Sequence, residues 1–115
     1  MNYFNEGNKY YNIKDYKKAI EYYQMAADKK INEACSYYNI GVCFIKLKEY
    51  DTAILMINKA VSFQIESKYI FNLAYCYAMK EFTSKAIYLF NLAWSLDPSD
   101  KECEKAVNLL IKKLT

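Results

Sequence analysis

The chain has 115 residues, of which 54% are hydrophobic, 25% are charged, two are Gly and one is Pro, a composition that favours a compact all-α protein over a sheet protein. The net charge of +3 comes from lysines scattered among thirteen acids, with no Arg, so nucleic acid is not an expected partner. No apolar run approaches the roughly 18 residues that span a bilayer, and residues 1–6 do not resemble a signal peptide, so we expect a cytoplasmic protein without a membrane partner.

Apolar residues at helical spacing predict seven helices in chain order, separated by short polar turns. They cover about 2–12, 15–28, 34–46, 49–62, 67–79, 82–95 and 99–114. The last is amphipathic, with an apolar side formed by Cys103, Ala106, Val107, Leu110 and Leu114. It is predicted to be a capping helix, because one polar side would shield the apolar end of stacked helices from water.

Eight residue types recur at a spacing of 33 to 34 residues, and a period of this length indicates stacked copies of one helical hairpin. The first copy reads Tyr3, Glu6, Gly7, Tyr10, Tyr16, Ala19, Tyr23, Ala26. The second reads Tyr37, Ile40, Gly41, Phe44, Tyr50, Ala53, Ile57, Ala60, and the third Ile70, Leu73, Ala74, Tyr77, Phe82, Ala86, Phe90, Ala93.

This pattern resembles the tetratricopeptide repeat, and the run from Tyr16 to Ala26 is close to that family's second helix. Leu96-Asp97-Pro98 is a typical repeat ending. The departures are Ile31 and Ile65 in place of Pro, Ala74 in place of Gly, and Phe82 one residue early, which put local turn geometry in question. The resemblance implies a right-handed α-solenoid, one domain over residues 1–115, with repeats at about 1–33, 34–66 and 67–100 and the cap at about 99–114.

The signature residues are predicted to be structural. Gly7, Gly41 and Ala74 lie where the two helices of a hairpin cross, since a small side chain lets the backbones approach. The chain has no His and no Gly-rich phosphate loop, so we expect no catalytic site and no cofactor, and we do not expect an enzyme. The four cysteines lack the spacing of a zinc site, so we expect reduced, buried thiols and no metal.

The resemblance implies that the first helices of the three hairpins line a concave groove. The candidate peptide-binding residues at those places are Phe4, Asn5, Asn8, Tyr38, Asn39, Lys68, Phe71, Asn72 and Tyr75. Asn5, Asn39 and Asn72 form one row, and an Asn amide can pair with the main chain of an extended peptide whatever its sequence. Phe4, Tyr38 and Phe71 form an aromatic row beside it. The same Tyr-Asn pair is also near the plain family consensus, so it identifies no particular ligand.

Co-chaperones of this family hold a terminal carboxylate of heat-shock chaperones with two Asn, two Lys and one Arg. Asn8, Asn39 and Lys68 match three of these five places, whereas Phe4 and Asn72 replace a Lys and the Arg. One cation therefore stands where the clamp uses three, and charge-assisted contacts are the strong ones. The match to this sub-family is accordingly partial.

The sequence therefore predicts a protein-protein interaction module that binds an extended peptide or partner segment in its groove. Two alternatives remain open. The chain is a self-assembly scaffold that docks through its first helix, with Tyr3, Phe4, Tyr10 and Tyr11, or it is the targeting domain of a larger enzyme. A fragment of a longer protein and a small free-standing protein are both compatible with the pattern.

Overall fold

The computed structural model describes residues 1–114 and shows an all-α fold. Its helices are α1 Tyr3–Asn12, α2 Tyr16–Asp28, α3 Glu33–Lys46, α4 Tyr50–Phe63, α5 Ser67–Met79, α6 Thr83–Leu96 and α7 Lys101–Leu114. Every predicted helix is present, with each boundary within two residues of its predicted place. Within residues 1–114, no helix is long and apolar enough to cross a membrane.

The chain divides into two compact units. The first runs from Met1 to Gln64, and in it α1 packs on α2, α2 on α3, and α3 on α4. The second begins at Ile65, and in it α5 packs on α6 and α6 on α7. Within each unit, each helix therefore contacts its neighbours in sequence, as expected for stacked hairpins.

Short polar side chains define where several helices begin. The Asn2 Oδ1 atom accepts the Asn5 N–H at 3.1 Å, and the Asp15 Oδ1 atom accepts the Lys18 N–H at 3.2 Å. At the start of α7, the Asp100 Oδ1 atom accepts the Glu102 N–H at 2.9 Å. Such caps satisfy N–H groups of the first turn that have no partner within the helix.

The turn inside each hairpin has the same backbone geometry in all three copies. Lys14, Lys48 and Glu81 have φ values of 64°, 60° and 65°, in the left-handed region. The next N–H in each copy bonds to the carbonyl five residues earlier, at 2.9, 2.8 and 2.9 Å. This is the Schellman ending of a helix. The early position of Phe82 therefore leaves the turn unchanged, because Phe82 simply becomes the residue that precedes α6.

The small signature residues lie at the helix crossings, as predicted. A Cβ atom on Gly7 would lie 2.5 Å from the Tyr23 Cδ1 atom, and one on Gly41 would lie 2.5 Å from the Ile57 Cγ1 atom. The equivalent residue of the third copy, Ala74, is fully buried. The repeated alanines are also fully buried, and they are Ala19, Ala26, Ala53, Ala60, Ala86 and Ala93.

The capping helix packs on α6 through three residues of its apolar side. Cys103, Val107 and Leu110 are buried, and Ala106 is half-buried. The prediction was wrong for Leu114, which is 59% exposed. Leu114 lies one helical turn beyond Leu110, which is the last buried residue of α7. Helical spacing placed Leu114 on the apolar side of the helix but did not bury it.

All four cysteines lie within the described residues and none forms a disulfide. Cys43, Cys76 and Cys103 are buried, whereas Cys35 is only half-buried, so the prediction of buried thiols was right for three of them. Burial raises the pKa of the Cys43 and Cys76 thiols to about 12. These thiols are therefore protonated at neutral pH and are inert as nucleophiles.

Candidate functional site

A pocket of about 240 Å³ opens on the first unit, between α1, α2 and α3. The residues that line it are Asn8, Tyr11, Tyr23, Tyr38, Asn39 and Val42. Residues three or four apart share a helix face, which is why α1 contributes Asn8 with Tyr11 and α3 contributes Tyr38 with Val42. Small-molecule sites usually have volumes of about 300 to 1,000 Å³, so this pocket suits a group the size of one or two amino-acid residues.

A chain of hydrogen bonds crosses the floor of this pocket. The hydroxyl of Tyr23, a residue that is 2% exposed, donates to the Asn8 Oδ1 atom at 2.5 Å. The Asn39 side chain also hydrogen-bonds this hydroxyl. A phenol has one proton, and Asn8 receives it, so the Asn39 amide must be the donor in the second bond. The chain therefore runs from the Asn39 amide through Tyr23 to Asn8, and it joins all three helices.

The lining of this pocket is electrically neutral. It contains no Lys, Asp or Glu. Burial is the largest cause of a raised pKa at both Tyr11 and Tyr23. Both phenols therefore remain protonated, and the pocket offers hydrogen-bond donors and acceptors beside aromatic rings without a net charge.

Three of the nine predicted site residues meet in this pocket, namely Asn8, Tyr38 and Asn39. Phe4 does not line the pocket, because its ring packs against the Tyr23 ring with 5.6 Å between centroids. Asn5 is exposed in the first turn of α1. The predicted row of asparagines is therefore uneven within the first unit, since Asn39 is anchored to Tyr23 and Asn5 faces solvent.

The remaining four predicted site residues belong to α5 in the second unit. The Lys68 ammonium is 3.8 Å from the Glu66 carboxylate, and the Asn72 amide donates to the Lys68 carbonyl at 2.9 Å. The Phe71 ring packs edge-on against Phe90, with 5.0 Å between centroids, and Tyr75 is 38% exposed. Phe71 therefore contributes mainly to the hairpin interior, and Tyr75 offers more exposed surface.

Sequence reasoning missed the polar role of Tyr23, which it assigned to the core. The ring is indeed buried against Gly7 and Phe4, but the hydroxyl reaches the pocket floor. The equivalent residues of the other copies are Ile57 and Phe90, neither of which has a hydroxyl. The hydroxyl that Tyr23 alone has among these three residues was the available signal in the sequence. Assigning it to the pocket required knowing which way the Tyr23 ring points.

The chemistry available at this site is hydrogen bonding and apolar contact. Among residues 1–114, no three His, Cys, Asp or Glu side chains come together as metal ligands would. The Asn amides supply donors and acceptors, while Tyr11, Tyr38 and Val42 supply apolar surface.

Comparisons with known proteins agree with this fold. The family model described as "Tetratricopeptide repeat" matches residues 36–62. No curated protein sequence matches the chain. Among solved structures, the first TPR domain of Spaghetti (RPAP3), bound to the HSP90 peptide SRMEEVD, has a TM-score of 0.91 at 19% identity, covering 97% of this chain and 92% of that chain.

Two further structures are equally similar in fold. The Yersinia enterocolitica type III secretion chaperone SycD, in complex with a peptide of the translocator YopD, has a TM-score of 0.91 at 17% identity, covering 98% of this chain and 92% of that chain. The Arabidopsis OM64 TPR domain has a TM-score of 0.91 at 23% identity, covering 96% and 93%. The family model matches one of the three sequence copies, and the solved structures show that the chain has the fold of a tetratricopeptide-repeat domain.

Proposed function

We propose that this chain is a protein-interaction module and that the pocket between α1, α2 and α3 binds a short extended segment of a partner protein. The observation that carries this proposal is the neutral pocket itself, in which two anchored asparagine amides lie beside tyrosine rings. Peptides bound to the Spaghetti domain and to SycD, which share this fold, support the proposal.

The residues of the pocket suit an extended main chain. Each peptide unit of such a segment has one donor and one acceptor, and an Asn side chain can pair with either. Each hydrogen bond of this kind adds about 0.5 to 1.5 kcal/mol net. The Tyr11 and Tyr38 rings provide flat apolar surface for the side chains of the ligand. The expected affinity is therefore moderate and comes from several weak contacts.

The second unit is proposed to add contacts of lower strength. The Lys68 charge is partly balanced by Glu66, and the Asn72 amide already donates to the main chain of its own helix. With one cation among the five clamp places, a strong preference for a terminal carboxylate is not part of the proposal. Lys68 would contribute to binding only if the ligand is acidic.

We also propose that the chain catalyses no reaction itself. Its proposed location is the cytoplasm. The absence of His from the sequence removes the side chain most often used as a general base. Buried thiols such as Cys43 and Cys76 are typical of a reducing compartment.

The test begins with selection of peptides from a random library on the immobilised protein, followed by calorimetry with the best peptide. Replacing Asn39 with Ala removes an amide from the pocket, and we expect the affinity to fall by about 1 to 2 kcal/mol. Folding should change little, because Asn39 is half-exposed and Tyr23 keeps its bond to Asn8. The matched control is Asn58→Ala, at an exposed position of α4.

Equal affinity of Asn39→Ala and the parent protein for the selected peptide would reject this site. If no peptide is selected and the sedimentation coefficient rises with concentration, the protein is instead a self-assembly scaffold. The two results are distinguishable because sedimentation is measured without a ligand.

A further inference from the structure

One side of α7 stays exposed in the second unit. The helix packs on α6 through its buried residues Cys103, Val107 and Leu110. On another side, exposed residues follow one another at intervals of three or four positions, and residues at such intervals share a helix face. This row, the α7 stripe, consists of Lys101, Lys105, Asn108, Leu109 and Lys112.

The middle of the α7 stripe forms a notch. A cavity of about 290 Å³ is lined by Lys105, Asn108, Leu109 and Lys112. Leu109 is 66% exposed, so an apolar group lies uncovered with a lysine one turn away on each side of it. The notch therefore suits one apolar side chain that has negative charge on both sides.

The α7 stripe is positively charged, because it contains three lysines and no acid. The acids in the first turn of α7 are Glu102 and Glu104, which lie outside the stripe. Lys105 pairs with Glu102 at 3.4 Å, but both side chains are 69% exposed. An exposed pair of this kind contributes little to stability, so a carboxylate of a ligand can take the place of Glu102.

We propose that the α7 stripe is a second docking surface of this chain and that it takes an extended acidic segment of a partner protein. One apolar side chain of that segment packs on Leu109 in the notch. Carboxylates before and after it pair with Lys105 and Lys112. This surface lies in the second unit and goes beyond the function proposed for the first-unit pocket.

The spacing of the lysines specifies the ligand further. Lys105 and Lys112 are two helical turns apart, which is about 11 Å along the helix axis. Three residues of an extended chain span about 10 Å. The preferred segment therefore has two acids three positions apart with an apolar residue between them. Nucleic acid fits less well, because Leu109 offers nothing to a phosphate and the chain has no Arg.

The test uses two blocked pentapeptides, Glu-Glu-Leu-Glu-Glu and its neutral counterpart Gln-Gln-Leu-Gln-Gln. Acetylated and amidated ends exclude recognition of a terminal carboxylate. Binding is followed by NMR titration of the isotopically labelled protein. The variants are Lys112→Gln and Leu109→Ala, and the matched controls are Lys113→Gln and Ile111→Ala, because the control residues are exposed on α7 but lie outside the stripe.

The acidic pentapeptide should bind more tightly than the neutral one and should shift the backbone resonances of the α7 stripe. Lys112→Gln should weaken binding by about twofold to fivefold, as expected for one exposed ion pair, and Leu109→Ala by about threefold to tenfold through loss of apolar contact. Both controls should bind as the parent does. The preference for the acidic pentapeptide should shrink as salt is added.

Equal binding of the two pentapeptides, or equal losses in Lys112→Gln and Lys113→Gln, would overturn the proposal. Phosphatidylserine vesicles or duplex DNA that shift the α7 stripe at lower concentration than the acidic pentapeptide would also overturn it, since the stripe would then be a surface for phosphates. Asn39→Ala should bind the acidic pentapeptide like the parent. Loss of the acidic pentapeptide in that variant would contradict a separate surface on α7, whereas failure to select a peptide for the first-unit pocket would leave this result intact.

Discussion

At the scale of single residues, Gly7 lies against the Tyr23 ring with no room for a Cβ atom. The Tyr23 ring that faces it is held by its hydrogen bond to Asn8 and cannot withdraw without losing that bond. A residue that appears to be a plain helix breaker is therefore tied to the geometry of the pocket.

Replacing Gly7 with Ala should destabilise the protein. Alanine improves helix propensity by about 1 kcal/mol, but the new Cβ atom would lie 2.5 Å from Tyr23, and overpacking of this kind costs about 1 to 3 kcal/mol. We expect a net loss, measured by urea unfolding. The loss should be smaller in a Tyr23→Phe background, where the ring is no longer tied to Asn8, and a Gly7→Ala protein as stable as the parent would contradict this packing.

The buried thiols predict a dependence of stability on alkaline pH. The folded-state pKa of the Cys43 thiol is raised from 9.0 to about 12. The contribution of this thiol to the free energy of unfolding is therefore complete below pH 9 and is lost as the pH rises toward 12. Over that range the free energy of unfolding should fall by about 1.4 kcal/mol per pH unit for this thiol. Urea unfolding of Cys43→Ala at pH 9 to 11 should show a shallower slope by that amount. Equal slopes would mean that the Cys43 thiol ionises as readily in the folded protein.

At the scale of helices and turns, the sequence pattern was informative where local rules decide the structure. The helix boundaries follow from apolar spacing and from caps such as Asp15, and both are local. The turn before α6 kept its form in spite of the early Phe82, because the Schellman hydrogen bonds involve backbone and not side chains. The exposure of Leu114 was not predictable in this way, since it depends on how far the burial by α6 extends along α7.

The candidate site was predictable only in part, for a related reason. Asn8, Tyr38 and Asn39 were named because the family resemblance places the groove on the first helices, and helix spacing brings them to the same pocket. The anchoring role of Tyr23 depends on a side chain that reaches from α2 to Asn8 of α1, and the turning of Asn72 toward its own helix depends on a rotamer. Neither is encoded in residue spacing.

Two adjacent leucines of α7 test its role as a cap. Leu110 is 7% exposed and Leu109 is 66% exposed. Truncating a buried leucine to alanine costs about 2 to 5 kcal/mol, whereas a surface change usually stays within about 0.5 kcal/mol. Trp94, the one tryptophan of the chain, lies in α6 and reports unfolding by its fluorescence. Similar losses for Leu110→Ala and Leu109→Ala would show that α7 does not pack on α6 through this side.

At the scale of the whole molecule, the repeated hairpins are a scaffold, and the first unit carries a pocket in which anchored polar groups and aromatic rings converge. The small signature residues of the repeat, its glycines and alanines, are buried at the helix crossings and account for close packing. The residues that distinguish the copies, such as Tyr23 with its hydroxyl, account for the chemistry of the pocket. Binding and folding are therefore assigned to largely different side chains of the same helices.

The most direct test of the central claim is photo-cross-linking of a selected peptide, with the attachment sites identified by mass spectrometry. A photoreactive group placed mid-peptide should attach to pocket residues of α1 and α3, namely Tyr11, Tyr38 or Val42. Attachment should be lost when the unlabelled peptide is added in excess. Attachment instead to exposed residues of α2 and α4, such as Met25 and Leu55, would contradict the assignment of the binding site to this pocket.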